Sequence, residues 1–423
     1  MNSYVKTFLR GSAVSLLGAG ILGIANYLIR RILCNNMSLQ DYGVFYSTFS
    51  LFIMIFGVAD LGLTQSGTVM IAAAADAPYR RNTVFSQLFF IKSGLAVLSA
   101  AGLFLFCRIV QPELNRIFTA IFLAYFIFQA LNGTLQALWG GLKKYTIQQI
   151  GYCAVAVLTL LPLCFLTEID LTSAAGCFLF AALTAMVFSL LYSRISGLGQ
   201  LQFSLNTEVS KILLTTGGLI AITTTLLSLM YNISTIMLHA RQGAASAGLY
   251  NIALPIMQIV QAAMVFPGVF LPIAVEMSKK SEYTKLRAFV RTALLTALAA
   301  LVPTGLFFHY CSPWLIRILF KPEYTGAAHA TTLLCLGLVF FTLGNLLFQI
   351  MLSLQQTVIM AVIAGITAGS CLLLNYVLIN CADVEGAAGA TCISYLIFAF
   401  LTYAVLEYHL KRMTHKKAEE KCA

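Results

Sequence analysis

Long apolar runs separated by short polar connections dominate the chain. A helix that crosses a hydrocarbon core of roughly 30 Å needs about 20 residues. Strands of a barrel would instead show alternating polar and apolar residues, so continuous runs predict helices. The sequence contains twelve such runs: residues 11–34, 42–70, 82–108, 114–139, 146–166 and 171–195 in the first half, and 210–239, 247–275, 286–309, 327–353, 357–380 and 386–408 in the second.

One part of this pattern occurs twice, about half a chain apart. Residues 39–70 are followed about 205 positions later by residues 245–275, and helix-weakening residues recur in register. Such a fixed period is typical of a duplicated architecture. It predicts a second helix in each half that bends at Gly62 and at Pro267. The aligned positions are Gly43 with Gly248, Ser50 with Pro255, Gly62 with Pro267, and Gly67 with Pro272.

The polar connection SGLGQLQFSLNTEVS, residues 196–210, marks the boundary between the halves. We expect a six-helix bundle at 1–200, a second at 201–410 and a charged cytoplasmic tail at 411–423. Six spans per half make the repeats parallel, and such halves rock about a central site. The predicted fold is therefore an all-α polytopic membrane protein with twelve transmembrane helices in two parallel-repeat six-helix bundles around a central cavity.

The distribution of Lys and Arg predicts the orientation. With the N-terminus in the cytoplasm, 18 of the 26 basic residues fall on the inner side, 7 on the outer side, and Lys92 inside a span. Cytoplasmic loops are enriched in basic residues, so both termini are expected to face the cytoplasm. The first apolar run is too long for the core of a signal peptide, and we expect it to remain as an uncleaved helix.

Composition agrees with a membrane protein: 60% of residues are hydrophobic and 10% are charged. The net charge of +11 fits contact with anionic lipid headgroups. No basic run is interleaved with base-stacking aromatics, so nucleic acid is not an expected partner. The five histidines and eleven cysteines show no metal-ligand or catalytic spacing, and neither an enzyme nor a metal or cofactor is predicted. Pairing among cysteines near the predicted outer ends stays open: Cys34, Cys107, Cys311 and Cys381.

Four phrases resemble a known family. Residues 39–45, together with Ala59-Asp60-Leu61-Gly62-Leu63, are similar to the acidic-Tyr-Gly turn and Asp-Leu-Gly-Leu of the bacterial polysaccharide-synthesis transporters. These are the lipid-linked oligosaccharide, or O-antigen, flippases of the multidrug, oligosaccharidyl-lipid and polysaccharide exporter superfamily. The other phrases are AGLYNIA at 247–253 with the prolines after it, FKPEYTGAA at 320–328, and residues 374–390, which contain Asn375 and EGAAGA.

The resemblance implies a function. It suggests a flippase that moves an undecaprenyl-pyrophosphate-linked oligosaccharide repeat unit across the bacterial inner membrane by alternating access, for capsule, O-antigen or exopolysaccharide assembly. Coupling to a proton or sodium gradient is implied, as is contact with membrane lipids and with polysaccharide polymerase machinery. Where many relatives have an acidic residue in the seventh helix, this chain has Tyr231-Asn232, which weakens the expectation of coupling there. Fourteen-helix relatives, such as the peptidoglycan-precursor flippase, have two helices beyond the twelve expected here. Lipid II is therefore a less expected substrate.

Ionisable and amide side chains within the spans are the candidate site residues, because such groups are costly in lipid unless they have a function or a partner. Arg30 and Arg31 could bind pyrophosphate or could extend to headgroups, and adjacent residues point about 100° apart on a helix, so at most one is expected in a cavity. Lys92 lies deep in the third span. Candidates for sugar hydroxyls, or alternatively for contacts between helices, are Asn26, Asn232, Gln258 and Gln261.

Asp60 lies deep in the second span. It is the candidate for ion coupling, or a salt-bridge partner of Lys92 or an arginine, or a partner for backbone groups freed where Gly57 and Gly62 loosen the helix. Gly62, Pro255, Pro267 and Pro272 are expected hinges or gates, since they permit helix bending. The alternative function is a multidrug and toxin extrusion type cation antiporter of the same fold. That class would need a buried acidic cluster, and the first-half spans offer Asp60 alone.

Overall fold

The chain is almost entirely helical over the residues that this computed structural model describes, 3–202, 206–263, 277, 283–354 and 356–422. No strand is present in those ranges, and a short 3-10 helix occupies Pro322–Ala327. The predicted all-α fold class is therefore confirmed. The α-helices are α1 Ser3–Asn36, α2 Leu39–Ala59, α3 Leu63–Ala73, α4 Pro78–Val110, α5 Arg116–Gly141, α6 Tyr145–Phe165, α7 Leu171–Ile195, α8 Thr207–Gln242, α9 Ala244–Ala263, α10 Tyr283–Leu319, α11 Ala328–Ser353 and α12 Thr357–Cys422.

Eight of the helices in the described part of the chain are long and apolar enough to cross a membrane. The longest, α12, is interrupted by non-helical backbone at Ala382 and Asp383, between the last two predicted spans. Large apolar side chains on the outer faces of the helices are exposed, among them Leu98, Ile109, Phe188 and Phe400. An exposed apolar surface of this kind is expected for helices that contact lipid.

The chain divides into two compact units, Met1–Ser228 and Leu229–Ala423. The division falls within α8 rather than in the polar connection at residues 196–210. The domain limits expected from the sequence, 1–200, 201–410 and 411–423, stay a prediction.

Helix α5 is the central packing element of the first unit, in contact with α3, α4, α6 and α7. Its aromatic side chains meet those of α2 and α7: Phe122 lies 4.8 Å from Phe45 and Tyr125 lies 5.4 Å from Phe178, measured between ring centroids. Aromatic pairs at such separations add to the free energy of burial. Asn132, from the same helix, donates a hydrogen bond to the carbonyl of Ala182 in α7 at 3.1 Å.

The second predicted span, residues 42–70, is two helices rather than one bent helix. Leu61 and Gly62 have positive φ values of 47° and 68°, which end α2 and start α3. A Cβ atom on Gly62 would overlap the carbonyl oxygen of Gly217 in α8, and a Cβ on Gly217 would lie 2.6 Å from the carbonyl oxygen of Leu61. The break therefore requires glycine on both sides of a close backbone approach.

In the second unit, two of the sequence segments that carried the family resemblance lie close together. The hydroxyl of Tyr250, from AGLYNIA in α9, lies 3.0 Å from the hydroxyl of Thr391, which follows EGAAGA in α12. Ser234 of α8 lies 2.9 Å from the same Thr391 hydroxyl. Tyr250 and Thr391 are 1% and 3% exposed, so these groups form a buried polar contact.

Polar groups near the ends of helices satisfy one another. Asp170 and Ser173 form a capping box at the start of α7, and Ser246 donates to the Asp383 carboxylate at 3.0 Å. His329 Nδ1 lies 3.3 Å from Glu385 Oε2.

The four cysteines whose pairing was left open are free thiols: Cys34, Cys107, Cys311 and Cys381.

Candidate functional site

A buried ion pair lies at the break between α2 and α3. The Lys92 ammonium, on α4, is 2.5 Å from a carboxylate oxygen of Asp60. Lys92 is 5% exposed, whereas Asp60 keeps 25% of its side-chain surface exposed. Taking both charges out of water is expensive, and their attraction offsets that cost only when the geometry is good and the remaining hydrogen-bonding groups are satisfied.

Thr64 completes the ion pair. Its hydroxyl donates to Asp60 Oδ1 at 2.8 Å, its backbone N–H donates to Asp60 Oδ2 at 3.2 Å, and Lys92 donates to the hydroxyl at 2.6 Å. Asp60 thus accepts from the first turn of α3, where the helix dipole also favours a negative charge. Two alternatives that the sequence left open, a salt bridge to Lys92 and a bond to freed backbone, are both present.

Space for the Lys92 ammonium is provided by a glycine on α5. A Cβ atom on Gly133 would lie 3.0 Å from Lys92 Nζ and 3.6 Å from the Thr64 hydroxyl. The first distance is shorter than an ordinary contact, so alanine at this position would crowd the Lys92 ammonium.

Next to this ion pair, a cavity of about 400 Å³ lies inside the first unit. It is lined by residues of α1, α2, α5, α6 and α7, and Asp60 lies in its wall. Lys92 is not among the lining residues, so the carboxylate is positioned between the ammonium and the cavity. Four polar side chains line the cavity, Asn26, Asp60, Gln129 and Thr159, together with six aromatic rings, Phe49, Phe56, Tyr125, Phe126, Tyr152 and Phe178.

Gln129 carries hydrogen-bonding capacity that is not used within the described part of the chain. Its side-chain oxygen is buried and accepts no hydrogen bond there. An unsatisfied buried acceptor costs about 1–3 kcal/mol, and Gln129 is one of the residues that line the cavity.

The two arginines at the end of α1 have different surroundings. The guanidinium of Arg30 lies 4.2 Å from the ring centroid of Tyr46, a buried residue of α2. Arg31 is exposed. Neither residue lines the cavity. Arg30 therefore packs against α2, whereas Arg31 is accessible.

The remaining sequence candidates belong to the second unit. Asn232 lies on α8, where its neighbour Tyr231 packs 4.9 Å from Phe341 between ring centroids. Pro255 lies inside α9. Gln258 and Gln261 belong to the same helix, but their side chains are not described. Pro267 and Pro272 lie outside the described residues.

Several residues of this site escaped the sequence analysis. Gln129 and Thr159 are isolated polar residues in apolar spans, which is the signal that selected Asn26, so the same rule would have found them. Thr64 lies four residues after Asp60, and the single helix expected over residues 42–70 would have placed both on one face. Gly133 and Gly217 had no comparable signal, because their importance comes from contacts with other helices.

A family model described as "Polysaccharide biosynthesis protein" matches residues 8–278. An uncharacterised membrane protein of Methanocaldococcus jannaschii is 30% identical over 154 residues, which cover 36% of this chain and 30% of that protein. The aligned part thus spans less than a third of that relative.

Solved structures of transporters share the fold. The inward-facing conformation of a multidrug resistance MATE family transporter of the MOP superfamily matches with a TM-score of 0.80 at 12% identity, covering 96% of this chain and 99% of that one. The Vibrio cholerae MATE transporter VcmN, as its D35N mutant, matches with a TM-score of 0.70 at 15% identity, covering 96% and 97%. A MOP superfamily transporter from Pyrococcus furiosus matches with 0.69 at 14%, covering 97% and 96%. The fold is that of a membrane transporter.

Proposed function

The chain belongs to the polysaccharide biosynthesis protein family, and from that premise we propose that it is a flippase for a polyprenyl-linked glycan. It moves an undecaprenyl-pyrophosphate-linked oligosaccharide repeat unit from the cytoplasmic to the outer leaflet of a bacterial inner membrane, with both of its termini in the cytoplasm. The product serves capsule, O-antigen or exopolysaccharide assembly, in contact with polymerase machinery.

One observation carries this proposal: a polysaccharide biosynthesis family match lies on a transporter fold. A transporter in glycan assembly needs a cargo that is made on one side of the membrane and used on the other. A lipid-linked repeat unit is such a cargo, because its sugars cannot cross the hydrocarbon core without a polar path. Alternating access provides that path without an open pore.

In this proposal the pyrophosphate binds to an accessible cation. Arg31 is the better of the two arginine candidates, because a guanidinium can bind phosphate through paired hydrogen bonds and Arg31 is exposed. Arg30 instead stacks on Tyr46. Lys92 is neutralised by Asp60, so it would bind an anion only after that pair opens.

Asp60 remains the candidate for coupling to a proton or sodium gradient. Its carboxylate is partly exposed and lies in the cavity wall, where a cation could reach it. A proton or sodium ion on Asp60 would compete with Lys92 for the same oxygens. Opening of the ion pair would then depend on the gradient. Gly62 and Pro255, with Pro267 and Pro272, are the proposed hinges.

The test is deletion of the gene from its source organism. We expect lipid-linked repeat units to accumulate facing the cytoplasm and surface polysaccharide to fall, because synthesis continues while translocation stops. Wild-type complementation should restore both. Arg31→Gln should restore surface polysaccharide only partly, whereas Arg116→Gln, which removes an exposed arginine at the start of α5, should restore it fully. Unchanged translocation in the deletion strain would contradict the proposal.

A further inference from the structure

The cavity inside the first unit combines aromatic walls with hydrogen-bonding groups, and the carboxylate in its lining is paired with Lys92. Six aromatic rings and four polar side chains face about 400 Å³. We infer that this cavity binds one uncharged sugar residue of the transported glycan, with its ring against the aromatic wall and its hydroxyls on Gln129, Asn26 and Thr159. This inference rests on the proposed function and names a sugar subsite for it.

The charge of the cavity argues for a neutral ligand. Asp60 is the ionisable carboxylate in the lining, and Lys92 already pairs with it at 2.5 Å. An organic cation would have to displace Lys92, and an anion would meet a carboxylate. Burial of an additional unpaired charge would cost several kcal/mol. A ligand with hydroxyl groups and no charge avoids both penalties.

The aromatic wall argues for a ligand with an apolar face. Tyr125 is held 5.4 Å from Phe178 and 6.4 Å from Phe49, and Phe126 is held 5.4 Å from Phe56, between ring centroids. These rings support one another across three helices, so their positions are fixed before a ligand arrives. A pyranose ring has a face of C–H groups that packs on an aromatic ring while its hydroxyls point outward from the ring edge.

The polar groups complete the match. The side-chain oxygen of Gln129 is buried, and within the described residues it has no donor. A sugar hydroxyl is a donor of suitable size, and its binding would remove the cost of the unsatisfied oxygen. The amide of Asn26 and the hydroxyl of Thr159 can each donate or accept. The volume is at the small end of the range of about 300–1,000 Å³ for ligand sites, which suits one sugar residue better than a whole repeat unit.

Ligand binding to the full chain in phosphatidylcholine nanodiscs tests this inference. The probes are methyl β-D-glucopyranoside and methyl N-acetyl-β-D-glucosaminide, observed by saturation-transfer NMR. We expect transfer to the ring protons, and about fivefold to tenfold weaker binding in Gln129→Leu, as expected for loss of one buried hydrogen bond.

Gln136→Leu is the matched control. Gln136 lies on the same helix, is 5% exposed and has a side-chain oxygen that is likewise unsatisfied in the described residues, but it does not line the cavity. It should leave glycoside binding unchanged. If Gln129→Leu unfolds, as judged by its thermal midpoint, Asn26→Leu replaces it and should weaken binding in the same way.

Three results would overturn the inference. They are absence of transfer to either glycoside, equal weakening by Gln129→Leu and Gln136→Leu, and displacement of the glycosides by tetramethylammonium. None of these results bears on the deletion experiment above. If deletion stops translocation while glycosides fail to bind, the sugar subsite is wrong and the flippase stands. If glycosides bind while deletion leaves translocation intact, the flippase is wrong and the cavity is a sugar site of another function.

Discussion

The carboxylate of Asp60 lies between the ammonium of Lys92 and the cavity of the first unit, 2.5 Å from that ammonium. This arrangement brings together a helix break, a buried cation and a mainly apolar cavity that contains a few polar groups. It also places the most exposed member of the pair, Asp60, where a ligand or a cation can reach it.

Removal of one member of the ion pair should destabilise the protein more than removal of both. Lys92→Met leaves the Asp60 carboxylate without its cation and should lower the free energy of unfolding by about 3 kcal/mol. This value is at the low end for a broken buried ion pair, because Asp60 is partly exposed. The double variant Lys92→Met with Asp60→Asn should recover most of that loss. Thermal midpoints of the wild type, both single variants and the double variant give the coupling energy.

Transport by these variants separates the two roles. If the pair serves stability alone, the double variant should also restore surface polysaccharide. If Asp60 couples transport to an ion gradient, the double variant should be stable and yet inactive. Full surface polysaccharide in Lys92→Ala cells would remove Lys92 from the transport site.

The close approach of Gly62 and Gly217 should tolerate no side chain. Gly217→Ala places a carbon about 2.6 Å from the carbonyl oxygen of Leu61, and we expect a loss of about 1–3 kcal/mol from overpacking. Gly218→Ala is the control, because a Cβ there meets nothing within 4 Å. It should be neutral or stabilising, since alanine is the better helix former. Equal thermal midpoints for the two variants would show that the contact does not matter.

The hydroxyl of Thr391 should contribute more than an ordinary helix hydroxyl. Thr391→Val removes the partner of Tyr250 and Ser234, which are buried, and should cost about 1–3 kcal/mol. Thr402→Val removes a hydroxyl that is equally buried but bonds the carbonyl of Phe398 in its own helix at 2.7 Å. This control should change the midpoint by much less. Similar losses in both variants would argue against the Tyr250–Thr391 contact as a link between α9 and α12.

The capping box of α7 should make stability depend on pH. Hydrogen bonds from Ser173 lower the pKa of Asp170 below its ordinary value of 3.8. Because the folded-state pKa is the lower one, the stabilisation is complete above the unfolded-state value and is lost as pH falls through the folded-state value. Asp170→Ala should cost about 1 kcal/mol at neutral pH.

The contrast with two other variants checks this assignment. Asp170→Asn keeps a capping side chain without a charge, so its midpoint should lack the acid-dependent term. Glu168→Ala removes a nearby loop carboxylate and should have little effect. A midpoint difference between wild type and Asp170→Asn that stays constant down to pH 2.5 would contradict the role of the charge.

The sequence by itself determined the class of the protein. Apolar runs long enough to span a bilayer allow only helices, because each backbone group must find its partner within its own segment. The same rule identified Asp60, Lys92 and Asn26, since a polar group in such a run is conspicuous. The Asp-Leu-Gly-Leu and AGLYNIA phrases indicated the family to which the chain belongs.

Only the tertiary structure decided which of these residues meet. Lys92 and Asp60 are 32 positions apart, and their pairing depends on the break at Leu61 and Gly62. The break in turn depends on Gly217, more than 150 residues further along the chain. Positive φ values and contacts between distant backbone segments produce no periodic pattern of hydrophobic and polar residues in a sequence. The cavity arises in the same way, from five helices whose separate patterns say only that each is apolar.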